Sequence, residues 1–283
     1  MATASPILSE MRRRLHRALC SNILGLDAHG VATNADADSK VSREIAERLL
    51  CEIGGTQARV RAPGQSAGKV FEEAVSDYLR ATFGHMHHLR PGTWRIESGC
   101  RIFNYEQFKH LEDVMAALAD QPSLKASLAA DYLIKPDIIV VREPESDAVI
   151  NRGRNWVDAK VADQADLRAA NGGRPLLHAS ISCKWTLRSD RAQNARTEAQ
   201  NLIRNRKGRV PHIVAVTGEL LPARLSSLAF GTGDMDCVYH LALPELRRAV
   251  DSLGYADASE TLTIMVQGRR LKDISDLPLD LAI

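Results

Sequence analysis

Two short runs carry residue types from which phosphodiester chemistry can be assembled: Lys135-Pro136-Asp137 ahead of Ile138-Ile-Val-Val141, and Ser182-Cys183-Lys184 closing an alternating stretch. Hydrolysis of a phosphodiester needs an in-line water, neutralised charge on the phosphate and help for the departing oxygen. A divalent cation supplies much of this, and Mg2+ prefers hard oxygen donors. Asp137 can offer a carboxylate from the opening of a buried strand, although an aspartate capping a turn is the plainer reading of Pro-Asp. Lys184 falls on the same side of its strand as Ser182 and Ser180, while Ile181 and Cys183 face the other way. Its ammonium can orient or deprotonate the nucleophile, or offset phosphate charge, and sequence does not separate these roles. A surface lysine on an edge strand is the common alternative; pairing with Asp137 on a neighbouring strand favours chemistry.

A second acid is expected near the lysine, yet position 182 holds serine. Glu198 can replace it if a helix starts near Asp190, because Arg191, Ala195, Glu198 and Leu202 then fall on adjacent turns. A solvent-facing glutamate in a basic helix is the competing reading. Glu72, in Val70-Phe-Glu-Glu-Ala74, can enter from an amino-terminal helix, and whether it or Glu73 faces inward stays open.

Arg188, Asp190 and Arg191 form an apt reader of adjacent G·C pairs. An arginine fork bonds guanine O6 and N7, and an aspartate accepts from cytosine N4, each bidentate contact discriminating by about 1 to 3 kcal/mol. Equally, Ser189-Asp190-Arg191 can be a local ion-pair set with Asp190 as helix N-cap. Net charge is only +2, but Lys184 to Arg209 holds eight basic residues against two acidic ones. Such a segment can displace counterions from phosphates, or be a solvated helix face.

Elements must bring these groups together. The 283 residues, 45% hydrophobic and 25% charged, suffice for one large core or two smaller ones. Apolar spacing of three and four predicts helices over residues 7–26, 40–50, 67–83 and 105–119, with polar turns at 30–39 and 61–68. A brief helical turn is expected after Gln121-Pro122-Ser123. Strands are predicted at 94–98, 137–141, 179–187, 212–217, 236–239 and 263–266, with a polar excursion at 153–173. This order implies an α/β fold: a mixed central sheet flanked by helices, a helical amino-terminal part over about 1–130 and a catalytic sheet core over about 131–283, in a single domain. Five scattered cysteines without Cys-x-x-Cys spacing argue against a disulfide framework or zinc site. No apolar run is long enough for a membrane span, and Met1-Ala-Thr-Ala-Ser-Pro6 leads towards Arg12-Arg-Arg14 rather than an apolar signal core, so a cytoplasmic protein is expected.

The joined pattern resembles the NgoMIV-type restriction endonucleases, type IIF members of the PD-(D/E)xK superfamily. The likeness is carried by Leu176 to Arg196, Asn205-Arg-Lys-Gly208, Gly231-Thr-Gly233, Asp236 to His240 and Leu271 to Leu281, and it extends from about Gly30 to the carboxyl terminus. It is weakest in the amino-terminal helix, at 52–61 and around 151–166. The resemblance implies a restriction-endonuclease-like PD-(D/E)xK core in the branch whose second acid has moved to the following helix, which accounts for Ser182. It implies Asp137 as central metal ligand, Lys184 as catalytic lysine, Glu198 as relocated acid, Glu72 as accessory acid and Cys183 as a ligand through its backbone carbonyl. Arg188, Asp190 and Arg191 would read the inner CCGG, Arg224 the outer G·C pair, and Gln65 the minor groove. The implied activity is Mg2+-dependent cleavage of double-stranded DNA at GCCGGC after the first G, leaving four-base 5′ overhangs and 5′-phosphates. Two Mg2+ per active site are implied, Mn2+ being a possible substitute. So are a homotetramer engaging two sites and a cognate DNA methyltransferase as system partner. The competing classes are a structure-directed repair or recombination nuclease on the same core, and a sequence-specific DNA-binding protein that does not cut.

Overall fold

The computed structural model describes residues 5–60, 62–123, 134–187 and 189–283, the side chains of Ser189 and Asp190 excepted. Among these, six strands form one sheet in sequential order: β1 (Trp94–Ser98), β2 (Ile138–Arg142), β3 (Leu176–Lys184), β4 (His212–Thr217), β5 (Cys237–His240) and β6 (Leu271–Asp273). β1, β2 and β3 pair antiparallel, whereas β3 to β6 run parallel. Parallel neighbours need crossover connections, and the helices between these strands provide them: α5 (Ser189–Asn205), α6 (Pro222–Ala229), and α7 (Leu243–Ser252) with α8 (Ala256–Gln267). The expected mixed sheet flanked by helices is therefore present.

Strand β2 is an unbroken Ile-Ile-Val-Val run because neighbours and covering layers bury it completely; its first four residues are all inaccessible. Register then sets the functional edge. Ile138 opposes Ile181, so Ser182, Cys183 and Lys184 extend past the start of β2, and Asp137 stands beside them. On the other flank Lys184 pairs with Thr217, Thr217 with His240, and His240 with Asp273. The carboxyl ends of all four parallel strands thus finish on one edge, where open α/β sheets bind ligands.

Helices α1 (Ile7–Asn22), α2 (Lys40–Ile53) and α3 (Gly64–Ala81) build the amino-terminal part. The Ser39 hydroxyl caps α2 by accepting the Ser42 N–H at 3.2 Å, and Gly54, at φ 77°, ends it in the left-handed conformation. In α3, Ala67, Phe71, Val75, Tyr78 and Leu79 form the buried stripe, which packs on β3 and β1. Phe71 lies against Trp185, centroids 5.2 Å apart, so α3 is pinned next to the end of β3. Arg12 of α1 reaches across to Glu245 of α7 and Asp273 of β6. Helix and sheet residues from Leu15 to Leu281 share one hydrophobic core.

The observed elements depart from the sequence expectations in three places. Residues 263–266 are not a strand but the end of α8, where Leu262 and Met265 are buried at three-residue spacing and Gly268 stops the helix; a short β-branched run does not by itself separate strand from buried helix. The edge strand is instead β6. Residues 105–119 are two 3₁₀ turns (Ile102–Asn104, Glu106–Phe108) followed by α4 (His110–Ala119), not one helix. Strand β3 begins and ends three residues earlier than expected, leaving Lys184 as its last residue. The turn expected after Ser123 lies outside the described residues. In the polar excursion, buried Arg168 holds the loop by bonds of 2.7 and 2.6 Å to Asp147 and 2.7 Å to the Val161 carbonyl. No disulfide joins the five cysteines, and no helix among the described residues is long and apolar enough to cross a membrane.

Candidate active site

Asp137 sits where β2 begins, and three donors converge on its Oδ2: the Cys183 N–H at 2.7 Å, Lys184 Nζ at 3.2 Å and Ser182 Oγ at 3.5 Å. Oδ1 takes none of these bonds. The alternation along β3 is as expected, with Ile181 and Cys183 buried and Ser182 and Lys184 half-buried on the opposite face. A residue in a strand presents its N–H and C=O to the same neighbour, so the Cys183 carbonyl also faces the Asp137 side. The Cys183 thiol itself is buried, and burial pushes its pKa well up, with Asp137 and Glu72 adding to the effect; it is inert as a nucleophile.

Two glutamates approach from different helices. Glu198 lies on the face of α5 that covers β3, lining the same narrow space as Ser182 together with Ala195, Ala199 and Leu202. Glu72 lies at the edge of the buried stripe of α3, half-buried, while Glu73 is exposed, which settles which of the two faces inward. Burial raises the Glu72 carboxyl above its ordinary range, Asp137 adds to this, and a hydrogen bond from Ser98 at the end of β1 opposes it. Burial likewise raises Glu198, with Lys184 opposing and Asp137 reinforcing.

These shifts test whether a divalent cation fits. Three carboxylates face one ammonium, and the charged forms of both glutamates are disfavoured by desolvation and by Asp137. A bound cation reverses that balance, and the donors are the hard oxygens Mg2+ prefers. As placed, the side chains stand apart: among the described residues no three His, Cys, Asp or Glu side chains close into a metal cage.

Beside this corner lies a polar cleft of about 410 Å³ whose lining includes Asn34, Asp36, Gly64, Trp185, Arg191 and Arg224. It meets α3 at Gly64, eight residues from Glu72, or about 12 Å along the helix. Arg191 donates to the Thr186 carbonyl at 3.5 Å and hydroxyl at 3.4 Å. Its Nη2 lies so near Gly64 that a Cβ there would sit 3.1 Å away. Arg224 is one third exposed and ion-paired with Asp36. Gln65 is exposed at the start of α3. Arg188 and the Asp190 side chain fall outside the described residues. A larger cleft, about 540 Å³ between α1 and α3, contains none of the candidate residues.

The basic segment divides. Arg196 is committed to Asp234 and to the carbonyls of Ser227, Leu228 and Phe230, so it holds α5 to α6 rather than facing a ligand. Sequence reasoning passed over Asp36, inside a loop legible only as turn-rich, and Ser98, which no motif marked. It also missed Glu219, whose one visible signal is a charged residue between Gly218 and Leu220-Leu221 after a buried strand.

The family model described as NgoMIV restriction enzyme matches residues 15–283. The type II restriction enzyme NgoMIV of Neisseria gonorrhoeae is 50% identical over 285 aligned positions, covering 99% of this chain and all of the relative. Among solved structures, the restriction endonuclease PspGI in complex with substrate DNA superposes with a TM-score of 0.38 at 14% identity, over 98% of this chain and 92% of that one. With a family match spanning nearly the whole sequence and half of all positions shared with a full-length relative, this chain belongs to the NgoMIV restriction enzyme family.

Proposed function

We propose that this restriction enzyme is a single-domain type II endonuclease that hydrolyses double-stranded DNA at GCCGGC, cutting after the first G to leave 5′-phosphates on four-base overhangs. The observation that carries this reading is the meeting of Asp137, Ser182 and Lys184 at one sheet edge, next to a cleft lined by Arg191 and Arg224. Asp137, Glu198, Glu72 and the Cys183 carbonyl would hold Mg2+, two ions per site, with Mn2+ as a substitute. When bound, the cation supplies charge neutralisation at the scissile phosphate.

The remaining work falls to the chain. The Cys183 amide and Lys184 fix one oxygen of Asp137, so that carboxylate is aimed before DNA arrives. The Lys184 ammonium lies at the same edge and offsets charge as the phosphate becomes more negative. Glu72, half-buried on α3, would orient the attacking water. Arg188, Asp190 and Arg191 read the inner CCGG in the major groove, Arg224 the outer pair, and Gln65 the minor groove. A palindromic site calls for a two-fold protein; a homotetramer of two back-to-back dimers would engage two sites, and a cognate methyltransferase would protect host DNA in the cytoplasm.

Digestion of a plasmid bearing two GCCGGC sites with Mg2+ tests the reading. Discrete fragments with ends at G/CCGGC are expected. Random nicking would mean a structure-directed nuclease, and binding without scission a protein that only recognises DNA.

A further inference from the structure

We propose that Glu219 is a positioning residue for sequence readout, its buried carboxylate holding the segment that leads into α5 and the start of α6 at a fixed spacing. The inference rests on the assignment of Arg191, on α5, and Arg224, on α6, to base reading. Glu219 is 2% exposed. Its Oε2 accepts the Leu187 N–H at 2.7 Å, two residues before α5 begins. Its Oε1 accepts the N–H groups of Leu220 at 3.1 Å and Leu221 at 3.0 Å. Leu221 is the N-cap of α6 and its side chain makes no capping bond, so the Glu219 carboxylate fixes the backbone of the two residues that lead into the helix. Arg224 Nη1 lies 3.9 Å from Oε2.

The turn around Glu219 is fixed independently. Its N–H donates to Thr217 Oγ1 at 3.1 Å, and its carbonyl bonds His240 Nε2 at 3.0 Å. The Gly218 carbonyl accepts from Asn34 Nδ2 at 3.3 Å, joining the loop that carries Asp36. A Cβ at Gly218 would lie 2.7 Å from Leu241 and 3.1 Å from Trp185, so the turn is seated directly under the residue that follows Lys184. Burying a carboxylate is unfavourable unless its oxygens are satisfied. Among the described residues, every hydrogen bond to them comes from a segment entering a reader helix. Inner and outer base pairs are then read by two arms with one shared anchor.

E219Q tests this, because an amide presents only one acceptor and must release either Leu187 or the start of α6. The readout is the cleavage-rate ratio between a GCCGGC duplex and one altered at the outer pair, measured for the wild type, E219Q, R224A and the double variant. The expected result is a ratio lowered about tenfold in E219Q, and a double variant no worse than R224A alone, since Glu219 acts through Arg224. A full ratio in E219Q while R224A loses it, or losses that multiply, overturns the inference alone. A full ratio in R224A overturns the reader assignment and this inference with it. If E219Q does not fold, hydrogen exchange of the unaltered protein decides: slow exchange is expected at the amides of Leu187, Leu220 and Leu221, and exchange at exposed-loop rates overturns the clamp.

Discussion

Replacing Arg12 by methionine should expose how firmly the amino-terminal helix is fastened to the sheet. Arg12 donates to Glu245 at 2.9 and 2.5 Å and to Asp273 at 2.8 and 2.9 Å, with all three side chains at most 15% exposed. Burial alone would raise the Glu245 carboxyl, but the hydrogen bonds and charge of Arg12 override it and hold the pKa at about 2 rather than 4.5. That difference corresponds to roughly 3 kcal/mol. It falls at the low end of the roughly 3 to 5 kcal/mol lost when one partner of a buried pair is removed. Asp273 keeps bonds from Leu243 and Ser275 after the change, so the cost concentrates on Glu245. The folded-state pKa is the lower one, so this stability is fully present above pH 4.5 and fades as pH falls towards 2. Urea unfolding of R12M at pH 7 is therefore expected to show a loss of about 3 kcal/mol, and the gap from wild type should narrow at pH 3. A loss under about 1 kcal/mol at pH 7, of the size seen for exposed pairs, or a gap independent of pH, would refute the reasoning.

Asp137→Ala should reduce cleavage by about a thousandfold or more while sequence-specific binding in Ca2+ persists; an unchanged single-turnover rate removes Asp137 from the metal site. Arg191→Ala should cost about 1 to 3 kcal/mol of discrimination at an inner guanine, and competition binding with a site altered there would show retained preference if the assignment is wrong. His240 is fully buried, its pKa lowered by burial to about 4, with Nδ1 accepting the Ala242 N–H and Nε2 facing the Glu219 carbonyl. The unfolded chain takes up that proton first as pH falls from 6.5 to 4, so the fold loses up to about 3 kcal/mol over that window. His240→Gln is expected to flatten this part of the stability profile, and an unaltered slope would contradict it.

The central strands and the helices carrying the acids were legible because their signals are local. Ile138 to Val141 is apolar without alternation, Leu176 to Lys184 alternates near its end, and α3 repeats its apolar residues every four positions. The pairing of Asp137 with Lys184 was legible only as a bet on register, since nothing in either run states that β2 and β3 are antiparallel neighbours offset to bring them together. Residues 263–266 misled because Thr-Ile-Met-Val satisfies strand and buried-helix composition alike, and the deciding contacts come from α6, α7 and β6. Glu219 and Ser98 were invisible for the same reason: each acts by bonding groups far away in sequence, or backbone amides, which no side-chain motif records.

Because the shortest bond to the Asp137 oxygen comes from a main-chain amide of β3 and the next from Lys184, its orientation depends little on the side chain at position 182. An acid at position 182 is then dispensable for aiming, and a serine can stand there while the second carboxylate arrives from another element. If Glu198 is the second acid, as proposed, its charge can sit on the helix instead of the strand with Asp137 still aligned. Nucleases sharing this steering should tolerate such migration, and those that orient the aspartate through a neighbouring side chain should not.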